Sequence, residues 1–177
     1  MTRQPTRQAA HRSPRMNQQT SIASVNRTPL EGVNVLFVDN SPDERALFSM
    51  RFGRDCATLA TASSIEEALA TLERGETELL VTEIHLAGHD GFELVRRMRD
   101  LPATQAGAVP AIAASAWIGL RDRIAEIPSG FSGCIVKPYD EEELLAVVAD
   151  LSTAIAALRR LRRRGITARV DGRELRP

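Results

Sequence analysis

Five short apolar runs punctuate the chain, and between them apolar residues recur at helical spacing. The runs are Asn34–Val38, Cys56–Ala62, Leu79–Ile84, Val109–Ser115 and Gly133–Val136. They are nearly continuous rather than alternating, as strands covered on both faces by helices require. Helix starts follow in register. Ser41-Pro42 supplies a cap and a first-turn proline, with Asp43 and Glu44 behind it. Ser63 or Ser64 caps the second helix ahead of Glu66 and Glu67, and Ala68, Leu69 and Leu72 form its buried face. Gly91 opens a third helix with Phe92, Leu94, Val95 and Met98 inward, stopped near Leu101-Pro102. A short fourth helix spans about Leu120–Ile127 before Pro128, and a fifth begins at Asp140. Five strand–helix units in a row predict an α/β fold, a doubly wound parallel sheet of (βα)5 type with flavodoxin-like order.

The fifth helix reads as unusually long. Leu144, Val148, Leu151, Ile155 and Leu158 step by four, three, four and three, the period of a coiled-coil seam. Its first half covers the sheet. Beyond Leu151 the extension to Arg164 carries spare apolar surface, which a partner helix or a homodimer through helix five would cover. Gly165 stops it.

Composition divides the chain into three parts. Residues 1–30 hold five arginines and no acid, and residues 159–177 hold eight arginines against Asp171 and Glu174. The stretch between carries a net charge of −11, so the formal net charge of zero conceals an acidic globule with two basic ends. The expected organisation is a disordered basic tail over 1–30, a domain over 31–152, and an extended helix with an Arg-rich tail over 153–177. No transmembrane segment or secretory leader is expected, which points to a cytoplasmic chain. Cys56 and Cys134 fall in different expected strands and are read as reduced and buried. His85 and His89 bracket Asp90 in a loop, read as solvated rather than metal-binding.

The candidate chemistry sits at strand ends. The chain has 23 Lys+Arg, and a single lysine among them, Lys137, which closes the fifth apolar run. Arginine's planar fork replaces a compact ammonium poorly at a tight site. The first run ends in Asp39 and the third in Glu83. Parallel strands bring such ends together at the carboxyl edge of a sheet.

These residues give the chain a resemblance. Val35-Leu36-Phe37-Val38-Asp39-Asn40, Glu83 through Asp90-Gly91 with Gly88 between, Ser115-Ala116-Trp117 and Lys137-Pro138 resemble, in order and spacing, the receiver domain of two-component response regulators. The likeness covers about residues 32–152. It implies signalling through protein–protein contacts rather than an enzyme, with a histidine kinase or an output protein as partner. In that family two acids after strand one hold magnesium, an aspartate after strand three accepts a phosphoryl group, and a Ser/Thr and a lysine bind its oxygens. An aromatic residue two positions beyond the hydroxyl turns inward on switching.

The match is uneven. Asp39 fits the first acid, but Asn40 stands where the second belongs, and Ala87 replaces a usual proline. Glu83 stands where the phosphoacceptor aspartate belongs. Ser115, Trp117 and Lys137 fit the hydroxyl, the switch aromatic and the lysine. The resemblance therefore implies an atypical, stand-alone receiver that lacks the acceptor aspartate. Magnesium binding at Asp39 and Glu83 is expected to be weak or absent. Glu83, longer by one methylene, is expected to meet Lys137 and Ser115 directly. Two other readings stay open: a nucleic-acid or membrane-surface adaptor using the Arg-rich ends, and a split receiver piece of a hybrid histidine kinase.

Overall fold

A computed structural model describes residues 28–86, 88–117, 119–126 and 130–164. Most of both basic ends, and Pro128 and Gly165, lie outside the described residues. Five strands form one parallel sheet: β1 Asn34–Val38, β2 Thr58–Ala62, β3 Leu79–Thr82, β6 Ala111–Ser115 and β7 Gly133–Val136, in the order β2-β1-β3-β6-β7. Between β3 and the next helix lies a small antiparallel hairpin, β4 His85–Leu86 and β5 His89–Asp90, turning through Gly88 at φ +77°. The helices are α1 Pro42–Phe52, α2 Ile65–Leu72, α3 Gly91–Arg99, α4 Leu120–Glu126, α5 Glu141–Asp150 and α6 Ser152–Arg164.

Caps set the helix starts. Ser41 Oγ accepts from the Glu44 amide, Ser64 from Glu67, and Asp90 from Phe92. Asp140 and Glu143 complete a capping box on α5. Gly91 is required by close approach, because a Cβ there would lie 2.5 Å from the Glu83 carbonyl oxygen and 2.9 Å from Ile84 Cα. The third strand ends at Thr82, and the Glu83 amide makes the last backbone bond to β1 before the chain leaves the sheet.

Alternate strand residues face two cores. Leu36, Val38 and Leu80 point to one side, against α2 and α3. Val35, Phe37, Leu79, Val81, Ile112 and Ile135 point to the other, against Phe48 and Phe52 of α1 and Leu144 and Val148 of α5. Leu30, expected in the basic tail, is buried with this second cluster.

The long fifth helix is a correction. It breaks at Leu151, whose backbone closes α5, and Ser152 starts a separate α6. The apolar seam is not spare surface. Ile155 joins the core beneath α1 and α5, while Leu158 joins the core beneath α2 and α3. Thus α6 closes the sandwich where both cores end. Arg159 donates to Glu78 at 2.6 and 2.8 Å, and Glu78 also accepts from the Asn34 amide at 3.1 Å. Arg162 donates to the carbonyls of Thr77, Thr104 and Gln105. Both cysteines are free, as expected, but each is only partly buried, and Cys56 precedes β2, bridging Glu31, instead of lying within the strand.

Candidate functional site

Strand register assembles the site. Val38 of β1 lies opposite Thr82 of β3, so Asp39 and Glu83, the next residues, leave the sheet at one level. The Glu83 amide donates to the Val38 carbonyl at 2.8 Å. Ser115 of β6 lies opposite Val136 of β7, and the Lys137 amide donates back to the Ser115 carbonyl at 2.8 Å. The carboxyl edge therefore gathers Asp39, Glu83, Ser115 and Lys137 in one cleft of about 670 Å³. Asn40 and Trp117 sit at its exposed rim.

The Lys137 ammonium is the centre. It lies 2.6 Å from Asp39 Oδ2, 3.0 Å from Glu83 Oε2 and 3.7 Å from Glu44 Oε2. Lys137 is 15% exposed, Asp39 3% and Glu83 11%, so this is a nearly buried cluster rather than a surface pair. The other oxygens are engaged too. Asp39 Oδ1 accepts from the Ser41 amide at 2.8 Å, and Glu83 Oε1 accepts from the Ile84 and His85 amides at 2.8 and 3.2 Å. Ser115 hydrogen-bonds the Glu83 carboxylate, and its Oγ accepts from the Trp117 amide at 3.4 Å. Trp117 is 39% exposed and meets the His85 ring edge-on.

Burial alone would raise the Glu83 carboxyl, but the Ser115 hydroxyl and the Lys137 ammonium outweigh it and hold the group below its ordinary 4.5. Burial alone would lower Lys137, but its hydrogen bonds to Asp39 and Glu83 prevail and raise it above 10.5. The two shifts make stability pH-dependent. The Glu83 contribution is present above about pH 4.5 and fades as pH falls through its lowered folded value. The Lys137 contribution is complete below pH 10.5 and fades as pH rises through its raised folded value. Urea midpoints are expected to hold a plateau between these limits and fall outside both, with Lys137→Met making the alkaline fall smaller and leaving the part that the buried Tyr139 phenol causes.

Three neighbours were not marked as site residues by sequence. Glu44, read as a helix-start charge, faces Lys137 from α1; its place three residues beyond the cap was the available signal. Arg45 donates to the Asp39 carbonyl at 2.6 Å. Tyr139 follows the cis Lys137–Pro138 bond, and burial pushes its phenol up to about 12, with Glu44 and Asp39 adding to the effect against Lys137.

Magnesium does not fit this arrangement. A hard divalent ion needs carboxylate oxygens free to face it. Here Asp39 and Glu83 face the ammonium and backbone amides, and Asn40 is neutral and exposed. Among the described residues no three His, Cys, Asp or Glu side chains cluster as a metal would require. Nor is any described helix long and apolar enough to cross a membrane.

Comparison with known proteins agrees with this architecture. A family model described as response regulator receiver domain matches residues 35–149. The chain belongs to that family. A relative from Leptolyngbya boryana, named only as an uncharacterized 14.6 kDa protein, is 38% identical over 119 residues, covering 67% of this chain and 89% of that one. Response regulator PleD of Caulobacter vibrioides is 28% identical over 149 residues, 78% of this chain but 32% of PleD. Transcriptional regulatory protein TcrA of Mycobacterium tuberculosis is 29% identical over 70% of this chain, and the match spans 47% of TcrA. The receiver thus spans half or less of those two longer regulators. Chemotaxis response regulator CheY4 of Vibrio cholerae shares the fold at a TM-score of 0.60 and 24% identity, over 67% of this chain and 98% of that one. The chain is a receiver domain of the two-component signalling type, with the five-stranded parallel sheet flanked by helices that the apolar pattern predicts.

Proposed function

We propose that this receiver signals without phosphoryl transfer, with Glu83 in place of an acceptor aspartate. The observation that carries the reading is the 3.0 Å contact between Lys137 Nζ and Glu83 Oε2. An acceptor carboxylate needs an oxygen free to attack phosphorus and a cation to neutralise the incoming oxygens. In this receiver the carboxylate holds the ammonium, two backbone amides and a hydroxyl itself. Three carboxylates, Asp39, Glu44 and Glu83, surround one ammonium, which disfavours the approach of a phosphoanion. Glutamate carries about one charge against nearly two for a phosphoryl group. Glu83 thereby supplies part of a phosphoryl group's electrostatic role and holds the receiver in one state.

The chain acts through protein contacts with a signalling partner, as a non-enzymatic module in the cytoplasm. The adaptor reading through basic ends is weaker, because Arg159 and Arg162 are bound to the fold itself. The test is incubation with acetyl phosphate and magnesium, followed by intact mass. Wild type is expected to gain no phosphoryl mass, while Glu83→Asp combined with Asn40→Asp gains one. Stoichiometric uptake by wild type would refute the reading.

A further inference from the structure

The helical arm from Glu141 to Arg164 has a second stripe, opposite the seam that faces the cores. Leu144 and Val148 of α5 and Ile155 and Leu158 of α6 are buried. On the other side Glu142, Ala146, Thr153, Ala157, Arg160 and Arg164 are all exposed. They follow one another at four, seven, four, three and four residues, which keeps one face of a helix in line. Leu151, between the two helices, stays in the right-handed helical region at φ −89° and ψ −2°, so the stripe continues across the break.

The stripe is polarised. α5 carries Glu141, Glu142, Glu143 and Asp150 and no base, whereas α6 carries five arginines and no acid. Arg159 and Arg162 turn inward to the fold. Glu142, Arg160 and Arg164 make no side-chain ion pair among the described residues. We propose that this stripe is the contact between two copies of the chain, packed antiparallel about a two-fold axis at Thr153. Glu142 then faces Arg164 of the second copy, and Ala146 faces Arg160. Ala149, also exposed, faces Ala157. Small side chains at the middle let two helices approach closely, and the ends bring acid to arginine. A parallel pair would set acid against acid and arginine against arginine. A second copy is the occupant that the pattern selects, because one two-fold operation satisfies both ends at once. With no large apolar side chain on the stripe, the contact is weak and salt-sensitive. It is independent of how Glu83 functions.

The experiment is sedimentation equilibrium of the full chain in low salt, from micromolar to millimolar concentration. Wild type is expected to rise from the mass of one chain toward that of two, and to fall back when salt is raised about tenfold. Two double variants change exposed positions only: Arg160→Glu with Arg164→Glu, and Glu142→Arg with Ala146→Arg. Each alone is expected to associate more than about tenfold more weakly, because like charges then meet at both ends. Their equimolar mixture is expected to recover association, since opposite charges again meet at both ends. Circular dichroism establishes that each variant is folded. A wild type that keeps the mass of one chain throughout would overturn the proposal. So would variants that associate as well as wild type, which would place the contact on another surface, or a folded mixture that fails to recover.

Discussion

Lys137→Met is expected to lower the unfolding free energy by about 3 kcal/mol, the scale for breaking a buried ion pair by removing one partner. The loss arises less from the missing attraction than from what stays behind. Asp39 is 3% exposed and Glu83 11%, and both would be left as nearly buried carboxylates facing each other without a cation. Urea unfolding at neutral pH measures this. Adding Glu83→Gln to Lys137→Met removes one stranded charge, so the double variant is expected to be more stable than Lys137→Met alone. A loss below about 1 kcal/mol, the range of surface pairs, would mean that the ammonium is hydrated and the cluster loose.

Ending the chain at Leu151 is expected to cost roughly 5 kcal/mol, enough to unfold a marginal domain. Two large apolar side chains leave the cores, each contributing about 1.5–3 kcal/mol on burial. Ile155 is 4% and Leu158 2% exposed, and they serve opposite faces of the sheet. Truncation also strands Glu78, 8% exposed, whose partner Arg159 departs with α6. Burial would raise the Glu78 carboxyl, and hydrogen bonds from Arg159 and the Asn34 amide hold it low instead. The measurement is thermal unfolding followed by circular dichroism. Glu78→Gln in the truncated chain is expected to recover part of the loss, because it removes the stranded charge while leaving the apolar deficit. A truncated chain as stable as the full one would show that α6 is an appendage.

Most of the sheet was legible because its signals are local. Asn34–Val38 and Gly133–Val136 match the expected strands to the residue, and Ser41 and Asp140 cap helices where their side chains and followers predict. The break at Leu151 was not legible, because the four–three spacing of apolar residues continues across it unchanged. One straight helix and two helices present the same pattern. Long-range partners decide the outcome: Arg159 finds Glu78, and Arg162 finds three carbonyls. Neither partner is encoded near the helix. The same reasoning explains the arginine run. Spacing alone gave a uniform basic stretch, but the fold splits it into Arg159 and Arg162 facing inward and Arg160, Arg163 and Arg164 exposed. The site divides likewise. Asp39, Glu83, Ser115 and Lys137 stand at strand ends and could be read there. Glu44 and Arg45 reach the site from the first turns of α1, where charges ordinarily serve the helix dipole.

The single lysine offers the most direct test. Protein grown with ¹⁵N-lysine contains one labelled side-chain ammonium, Lys137, so its titration can be followed by NMR without assignment. It is expected to titrate above its ordinary 10.5 and to shift back toward that value in Glu83→Gln. Titration at the ordinary value in wild type, unmoved by Glu83→Gln, would contradict a direct contact between these two side chains.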